Sequence, residues 1–354
     1  MASKDTIRIA AIQMIAELSP VQERLARAEA LVAQAAQDGA DLAVLPEVFN
    51  TGYEYSDENY LLAETFDGPT ARWMKRAARH YRVYLAGSFL RWDEGDIYNT
   101  LLLVAPDGAS WYYDKNYPWV WERAYFRPGT GITVADTKVG RLGMLICWDT
   151  AHPRLWQRYA GKVDAMVISS CPPRVHDLRL ILPDGRYIPS EETGPLMRHM
   201  KRRAGETFGL YLRRQAGHLG VPVVNTTGTG VFHTAMPRPG VSLSVYFLFR
   251  PDLWRYAFRA EEVRVESGYF QETYVADAEG QVLARVPAGV EGVALADVRT
   301  SERAPQPAGR PPRFGLPVFA YLLDVFANAL LVSVYRKGVR SAHRFNEEDK
   351  TYGS

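Results

Sequence analysis

Apolar strand patterns alternate with helical patterns along most of the chain. Short runs rich in β-branched residues are typical of strands, and segments with apolar residues three or four positions apart are typical of helices. The predicted strands are Ile7–Met14, Asp41–Leu45, Val83–Phe89, Asn99–Val104, Arg141–Cys147 and Val163–Ser169, and the predicted helices are Pro20–Asp38, Thr70–Tyr81 and Ala151–Tyr159. Together with hairpin signals such as Pro106-Asp107-Gly108, this alternation predicts a layered α/β sandwich.

Length and composition set the broad class of the protein. A chain of 354 residues allows one or two domains, and 47 % apolar with 23 % charged residues is typical of soluble globular proteins. These values exclude a disordered chain, a fibrous protein and a polytopic membrane protein. The 42 basic and 40 acidic residues leave a net charge of +2, so we expect no nucleic acid partner.

The two cysteines, Cys147 and Cys171, are too few for a disulfide framework or a thiolate metal site. Free thiols favour a reducing compartment. The first residues, MASKDTIRIAAIQM, have no secretory signal pattern. We therefore expect a cytoplasmic protein without a bound metal.

An apolar segment near the C-terminus departs from this picture. Phe314–Tyr335 has 22 residues with Asp324 as its single charge, and it follows a proline-rich stretch that is typical of a linker. Its length suffices to span a bilayer, although an acidic side chain at the centre is costly there. Helical spacing places four polar residues on one narrow face: Tyr321, Asp324, Asn328 and Tyr335. Three interpretations stay open: a helix in a membrane interface, a helix packed on the body or a partner subunit, and a membrane span.

Three chemically distinctive residues each follow an apolar strand. Glu47 ends the run Leu45-Pro46-Glu47, Lys115 follows Tyr113-Asp114, and Cys147 follows Gly143–Ile146. Open α/β sheets place their functional sites at the carboxyl ends of strands. A thiol nucleophile needs a base, which Glu47 can supply, and Lys115 can stabilise negative charge on a carbonyl or nitrile under attack. Each residue alone has an ordinary structural explanation, but the three together favour thiol-dependent catalysis.

Other catalytic arrangements lack their signatures in this sequence. The seven histidines show no arrangement with an orienting acid at a strand end, and His152, near Cys147, is typical of a helix cap or a pocket wall. The sequence contains no G-x-S-x-G elbow, no phosphate-binding loop, no G-x-G-x-x-G after a strand and no H-E-x-x-H.

The ordered set of motifs resembles the nitrilase superfamily, the carbon–nitrogen hydrolases. The matching residues in chain order are Ala11-Ile12-Gln13, Leu45-Pro46-Glu47 with Phe49 and Gly52-Tyr53, Asp114-Lys115, Glu122–Phe126 with Gly129, and Gly143–Asp149. Each motif is weak singly, whereas the ordered Glu, Lys and Cys set is specific. The resemblance implies an α/β fold, a four-layer α-β-β-α sandwich of the nitrilase type. The apolar C-terminal segment would add a helical extension to it.

The resemblance implies a catalytic role for four matching residues. Cys147 would be the nucleophile that forms a thioester or thioimidate, and Glu47 would be the general base. Lys115 would stabilise the tetrahedral intermediate. Glu122 would be a second carboxylate that holds substrate and orients the lysine.

Other residues would form the oxyanion and substrate-binding sites. The backbone N–H of Trp148 would be an oxyanion donor, and Tyr53, Asp149 and Cys171 would belong to the substrate pocket. The resemblance implies neither a metal nor an organic cofactor. It also implies a homodimer or a larger homo-oligomer.

The reaction within the superfamily stays open. Glu122–Gly129 is similar to the amidase and carbamoylase branches, whereas Cys147-Trp148-Asp149 is nearer to the nitrilase style. We therefore favour hydrolysis of a small amide or carbamoyl compound over that of a nitrile. An N-acyltransferase that uses the same triad at a membrane surface is an alternative. The intact set of Glu47, Lys115 and Cys147 argues against a non-catalytic scaffold, which would not need it.

We expect one carbon–nitrogen hydrolase domain over residues 1–300, a linker over 301–313, and an apolar helix with a basic and polar tail over 314–354. Insertions near 174–206 and 240–268 interrupt the domain. The first is a candidate lid or specificity loop, and the second is a candidate apolar lip. Such a lip, with peripheral membrane contact through 314–335, would suit an apolar or lipid-like amide.

Overall fold

A computed structural model describes residues 6–247, 249–300, 304–312 and 318–352. The strands in chain order are β1 (Thr6–Ile15), β2 (Leu42–Val44), β3 (Tyr84–Asp93), β4 (Asp96–Val104), β5 (Ser110–Asp114), β6 (Val134–Thr137), β7 (Gly140–Ile146), β8 (Ala165–Ser169), β9 (Arg179–Ile181), β10 (Tyr187–Pro189), β11 (Val223–Thr226), β12 (Gly228–Thr229), β13 (Val231–Ala235), β14 (Arg264–Gly268), β15 (Tyr274–Ala276), β16 (Val282–Arg285) and β17 (Gly292–Arg299). The α-helices are α1 (Val21–Gln37), α2 (Pro69–Tyr81), α3 (Pro153–Tyr159), α4 (Pro195–Glu206), α5 (Leu212–Leu219), α6 (Pro239–Phe247) and α7 (Val318–Tyr352).

Two large sheets form the body of the protein. The first has the strand order β12-β1-β2-β3-β4-β5, with β17 also paired to β1, and the second has the order β16-β15-β11-β8-β7-β6. Strands β1 to β3 are parallel because α1 and α2 connect them, whereas β3 to β5 are antiparallel because short turns connect them. Glu94 and Gly95 form the β3–β4 turn with φ angles of 46° and 89°, as tight two-residue hairpins require.

The two sheets pack face to face with helices on both outer sides. Along the first sheet, alternate residues point to opposite faces: Ile9 and Val44 join the core between the sheets, whereas Ala10 and Ala43 pack towards α1 and α2. Helices α3 and α5 cover the outside of the second sheet through buried side chains such as Trp156 and Leu212. The layers therefore follow the α-β-β-α order that the resemblance to the nitrilase superfamily implies, and the α/β class is confirmed.

The two insertions predicted from the sequence fold together. Strands β9 and β10 come from the first insertion and β14 from the second, and with β13 they form a small antiparallel sheet, β10-β9-β14-β13. Ion pairing and hydrogen bonding also join them: Arg250 lies 2.6 Å from Glu192, and the Tyr256 hydroxyl donates to Asp184 over 2.6 Å. The small sheet packs beside the loop after β2, where the Thr234 hydroxyl accepts the backbone N–H of Tyr55 at 2.8 Å.

The C-terminal helix α7 is docked on the body through its second half. Leu331, Tyr335 and Val339 are buried there, and the Tyr335 hydroxyl accepts the backbone N–H of Ile97 at 2.9 Å. Gly338 lies so close to the ring of Tyr60 that a β-carbon would overlap it.

Within the part of the chain that the structure describes, none of the helices has both the length and the apolar character needed to cross a membrane. Residues 301–303 of the predicted linker and 313–317 of the linker and apolar segment lie outside the described residues.

Candidate active site

Glu47, Lys115 and Cys147 converge at the carboxyl ends of their strands. Glu47 follows β2 and Lys115 follows β5 in the first sheet, while Cys147 follows β7 in the second. Because the two sheets face each other, residues from both reach one site. All three are almost completely buried, and Cys147 is only 4 % exposed.

The Lys115 ammonium group lies between two carboxylates. Its Nζ atom is 2.8 Å from Glu47 Oε1 and 2.7 Å from Glu122 Oε2. Gly129, one of the motif residues, donates its backbone N–H to the Lys115 carbonyl at 2.8 Å, and its Cα lies against Asp114 where no β-carbon would fit. The local backbone and both carboxylates therefore hold the ammonium group in one place.

Glu47 is held by two donors besides the lysine. The Asn99 side-chain amide on β4 donates to Glu47 Oε1 at 2.8 Å, and the backbone N–H of Cys171 donates to Oε2 at 2.9 Å. The sequence prediction missed Asn99, whose only signal is a polar residue before the apolar end of its strand. The prediction assigned Cys171 to a pocket wall, whereas the structure brings its backbone N–H to the carboxylate of Glu47.

Glu122 is also saturated with donors from the protein. It lies in a 3-10 helix, Val120–Ala124, and accepts the backbone N–H of Trp119 at 2.6 Å and the hydroxyl of Tyr53. Tyr53, expected from the resemblance to bind substrate, therefore contacts the second carboxylate. With Lys115 as its third partner, Glu122 is placed to orient the lysine.

Cys147 stands at a strained point of the backbone. Its φ angle is 46°, a left-handed conformation that non-glycine residues adopt rarely and often at functional sites. It is the first residue of a short 3-10 helix, Cys147–Ala151, that follows β7 directly. This sharp turn sets the thiol at the edge of the sheet beside Glu47, close enough for each group to shift the pKa of the other.

Burial sets the protonation states of this group. Burial and the nearby Glu47 raise the pKa of the Cys147 thiol well above its usual value, so the resting residue is a neutral thiol. Burial also raises the pKa of Glu47, and the attraction of Lys115 offsets only part of this rise. For Lys115, burial alone would lower the pKa, but Glu122 and Glu47 outweigh it and keep the amine protonated. The site thus combines a neutral thiol, a carboxylate of increased basicity and a fixed positive charge.

Most of the chain matches a known protein family. The model of the carbon–nitrogen hydrolase family matches residues 8–307 of the chain. The chain belongs to the carbon–nitrogen hydrolase family. A crystal structure of an amidase from Nesterenkonia sp. has the same fold as this family member, with a TM-score of 0.60 at 17 % identity over 84 % of this chain and 93 % of that chain.

Curated members of the family match about half of the chain. A nitrilase from Pyrococcus abyssi is 30 % identical over 50 % of this chain and 66 % of its own length. An (R)-stereoselective amidase from a Pseudomonas species is 30 % identical over 42 % of this chain and 53 % of its own length. The chain therefore spans less than two thirds of the length of each of these relatives.

Within this carbon–nitrogen hydrolase fold, Asp149 binds protein groups that link two functional loops. Its Oδ1 accepts the backbone N–H of Tyr117 at 2.8 Å, and its Oδ2 accepts the hydroxyl of Tyr113 at 2.8 Å and the backbone N–H of Ile146 at 3.2 Å. Tyr113 and Tyr117 flank Lys115, and Ile146 precedes Cys147. This arrangement differs from the substrate-binding role that the resemblance implies, because both oxygens are occupied by the protein.

Aromatic rings surround the loops that carry the site. Trp148 packs near Trp119 with ring centroids 6.3 Å apart, and His152 is stacked on Tyr117 with centroids 3.5 Å apart. Burial, with a contribution from Arg123, lowers the pKa of His152 to about 3, so this histidine is neutral.

Among the described residues, no group of three His, Cys, Asp or Glu side chains could hold a metal ion.

We expect Asp149→Asn to destabilise the protein in a pH-dependent way. The new amide N–H₂ would face one of the three donors, which costs about 1–3 kcal/mol of unfolding free energy. Burial raises the pKa of Asp149 to about 7 in the folded protein, above its ordinary value of 3.8. The wild type therefore loses stability as the pH rises from about 4 to about 7, and the amide variant lacks this loss. Urea unfolding at pH 4.5, 6 and 8 should show the difference between the two proteins narrowing as the pH rises, and a constant difference would contradict the raised pKa.

Proposed function

We propose that the protein is a thiol-dependent amidase that works through an acyl-enzyme on Cys147. One observation carries this proposal: the Lys115 ammonium group lies 2.8 Å from Glu47 and 2.7 Å from Glu122, and the Cys147 thiol lies beside Glu47. This set supplies a nucleophile, a base and a positive charge in a buried place. The amidase and nitrilase names of the relatives support the same class of reaction.

In the proposed acylation, Cys147 Sγ attacks the carbonyl carbon of the amide while Glu47 takes the thiol proton. The raised pKa values of both groups favour a proton transfer that accompanies attack over a preformed thiolate. The ammonium group of Lys115 and the backbone N–H of Trp148 would stabilise the negative oxygen of the tetrahedral intermediate. The carbon–nitrogen bond then breaks, and the leaving amine takes the proton from Glu47.

In the proposed deacylation, Glu47 takes a proton from a water molecule as the water oxygen attacks the thioester carbon. A second tetrahedral intermediate breaks its carbon–sulfur bond, and the proton on Glu47 returns to Cys147. The products are a carboxylic acid and the free thiol. Glu122 would act through Lys115, because its oxygens are already bonded to Tyr53, Trp119 and the lysine.

The substrate class follows from the surroundings of the site. Trp119, Trp148 and Tyr117 lie on the loops around it, which supports an amide with an apolar acyl group. Carbamoyl compounds are included with the amides, because Glu122–Gly129 is similar to both the amidase and the carbamoylase branches. Nitriles are the second candidate, because the elbow Cys147-Trp148-Asp149 is nearer to the nitrilase style. An acyl transfer to an amine would use the same thioester, with the amine replacing water.

A panel of substrates separates these reactions. We expect short and medium-chain amides to be hydrolysed with release of ammonia, and the matching nitriles to react at least about tenfold more slowly in kcat/KM, a difference of about 1.4 kcal/mol in transition-state binding. Adding a primary amine should leave the yield of carboxylic acid unchanged. A new N-substituted amide would indicate acyl transfer, and faster turnover of the nitriles would reverse the assignment.

We also propose a cytoplasmic protein that forms a homodimer or a larger homo-oligomer. Both cysteines are free and buried, which fits a reducing compartment. Analytical ultracentrifugation of the full chain measures the oligomeric state.

A further inference from the structure

The side of helix α7 that faces the protein makes polar contacts with it, which is unusual for an amphipathic surface helix. Asn328 Oδ1 accepts a hydrogen bond from Arg123 over 3.5 Å, and the Tyr335 hydroxyl lies 2.8 Å from Asp96. These two residues belong to the polar face that helical spacing predicts. In the second half of the helix the same side buries Leu331, Val339 and Ala342 against the body.

The opposite side of α7 is apolar and exposed in the first half of the helix. Leu322 is 56 % exposed, and Val325 and Phe326 are each 70 % exposed. Residues 322, 325, 326 and 329 are three or four positions apart, so they share one face. A soluble surface seldom presents adjacent large apolar side chains of this kind without a partner.

The same face becomes basic in the second half of the helix. Arg336, Lys337 and Arg340 continue the stripe at helical spacing and are exposed. Within the described residues, none of these three cations is paired with a carboxylate. Beside them lies a groove of about 610 Å³ whose charged lining residues are Arg238, Lys337 and Asp57.

We propose that this face of α7, from Leu322 to Arg340, docks on a membrane surface that contains anionic lipids. Such a surface has an apolar interior beneath a negatively charged headgroup layer. The apolar first half of the face would contact the interior, and the basic second half would contact the headgroups. The exposed apolar stretch from Leu322 to Ala329 is about 10 Å long, which fits shallow insertion and is far below the thickness of the hydrocarbon core. A second copy of the chain that docked through the same face would cover the apolar stripe, but that face carries no carboxylate that could pair with the three cations.

The purpose of docking rests on the proposed function, because docking would bring the hydrolase to apolar amides at a membrane. Docking itself depends on α7 and can be measured without turnover. The Cys147→Ala variant should bind vesicles as the wild type does. Failure of docking and failure of hydrolysis are therefore separate results.

Co-sedimentation of the full chain with vesicles tests the proposal. Vesicles of phosphatidylcholine alone are compared with vesicles that contain phosphatidylcholine and phosphatidylglycerol in equal parts. We expect binding at least about tenfold stronger to the anionic vesicles, since three cations near the surface each contribute. Combining Val325→Asp with Phe326→Asp should weaken this binding at least about tenfold. Combining Arg336→Glu with Arg340→Glu should remove the preference for anionic vesicles.

The matched control is Leu283→Asp, which replaces an exposed leucine on β16 and should leave vesicle binding unchanged. Thermal unfolding confirms that each variant is folded. Absence of binding by the wild type, or equal binding by the Val325 and Phe326 variant, would overturn the proposal. A change of oligomeric state in that variant, with no vesicle binding by the wild type, would show that a second copy covers the face and would equally overturn it.

Discussion

Cys147→Ala should abolish amide hydrolysis while leaving the protein folded. The substitution removes the sulfur atom that the proposed mechanism acylates, and the loss of a nucleophile in a cooperating set lowers kcat by at least about four orders of magnitude. The side chain is small, so alanine leaves the neighbouring groups in place. Ammonia release measures the rate, and mass spectrometry of the intact protein after incubation with substrate detects the acyl group.

The second cysteine provides the matched control. Cys171 is also buried and free, but its contribution to the site is a backbone N–H that alanine retains. Cys171→Ala should therefore keep activity within about tenfold and still form the acyl adduct. Equal loss in the two variants, or turnover by purified Cys147→Ala, would remove Cys147 from the mechanism.

Lys115→Met should cost both activity and stability. The loss of a charge that stabilises the intermediate lowers kcat by about 10³-fold or more. Two buried carboxylates then remain close together without a cation, and breaking a buried pair in this way costs about 3–5 kcal/mol. Amide hydrolysis and urea unfolding at pH 8 measure the two effects.

The loss of stability in Lys115→Met should shrink as the pH falls. Burial already raises the pKa of Glu47 above its ordinary value of 4.5, and removing the attraction of Lys115 raises it further. An acid whose pKa is higher in the folded state stabilises the fold at low pH and loses that contribution as the pH rises. The difference from the wild type should therefore be smaller at pH 5 than at pH 8.

Two further variants control this experiment. Adding Glu122→Gln to Lys115→Met removes one of the two uncompensated charges, so the double variant should be more stable than Lys115→Met alone. Lys138→Met removes a lysine whose ion pair with Asp107 is exposed, and it should change neither activity nor stability measurably. If the double variant is no more stable than Lys115→Met, repulsion between the carboxylates is not the cause of the loss.

The positions of the three central residues could be predicted because each one ends a strand. Glu47 and Cys147 follow buried apolar runs, and Lys115 follows the aromatic strand β5, so all three stand at carboxyl ends of strands, where α/β folds place their sites. Asn99 and the backbone N–H of Cys171 could not be predicted in the same way. A backbone donor has no side-chain signature, and the contact of Asn99 with Glu47 depends on how β4 packs beside the loop after β2.

The insertions and α7 show a second limit of sequence reasoning. Helical spacing correctly groups Asn328 with Tyr335, but spacing alone does not state which face meets the protein. The pairing of β9 with β14 joins residues that are more than eighty positions apart, so no local pattern in either insertion predicts it. Long-range packing decides both features.

The 3-10 helix Val120–Ala124, which holds Glu122, lies directly against α7. Arg123 contacts Asn328 of α7, and the carbonyl of Ala124 accepts the hydroxyl of Tyr60, whose ring touches Gly338. The family match ends at residue 307, whereas the support for the second carboxylate continues beyond residue 330. A boundary drawn by homology would therefore cut the folded unit, and a protein trimmed there should turn over even small, water-soluble amides more slowly. The outer side of α7 therefore lies one helix diameter from the segment that holds Glu122.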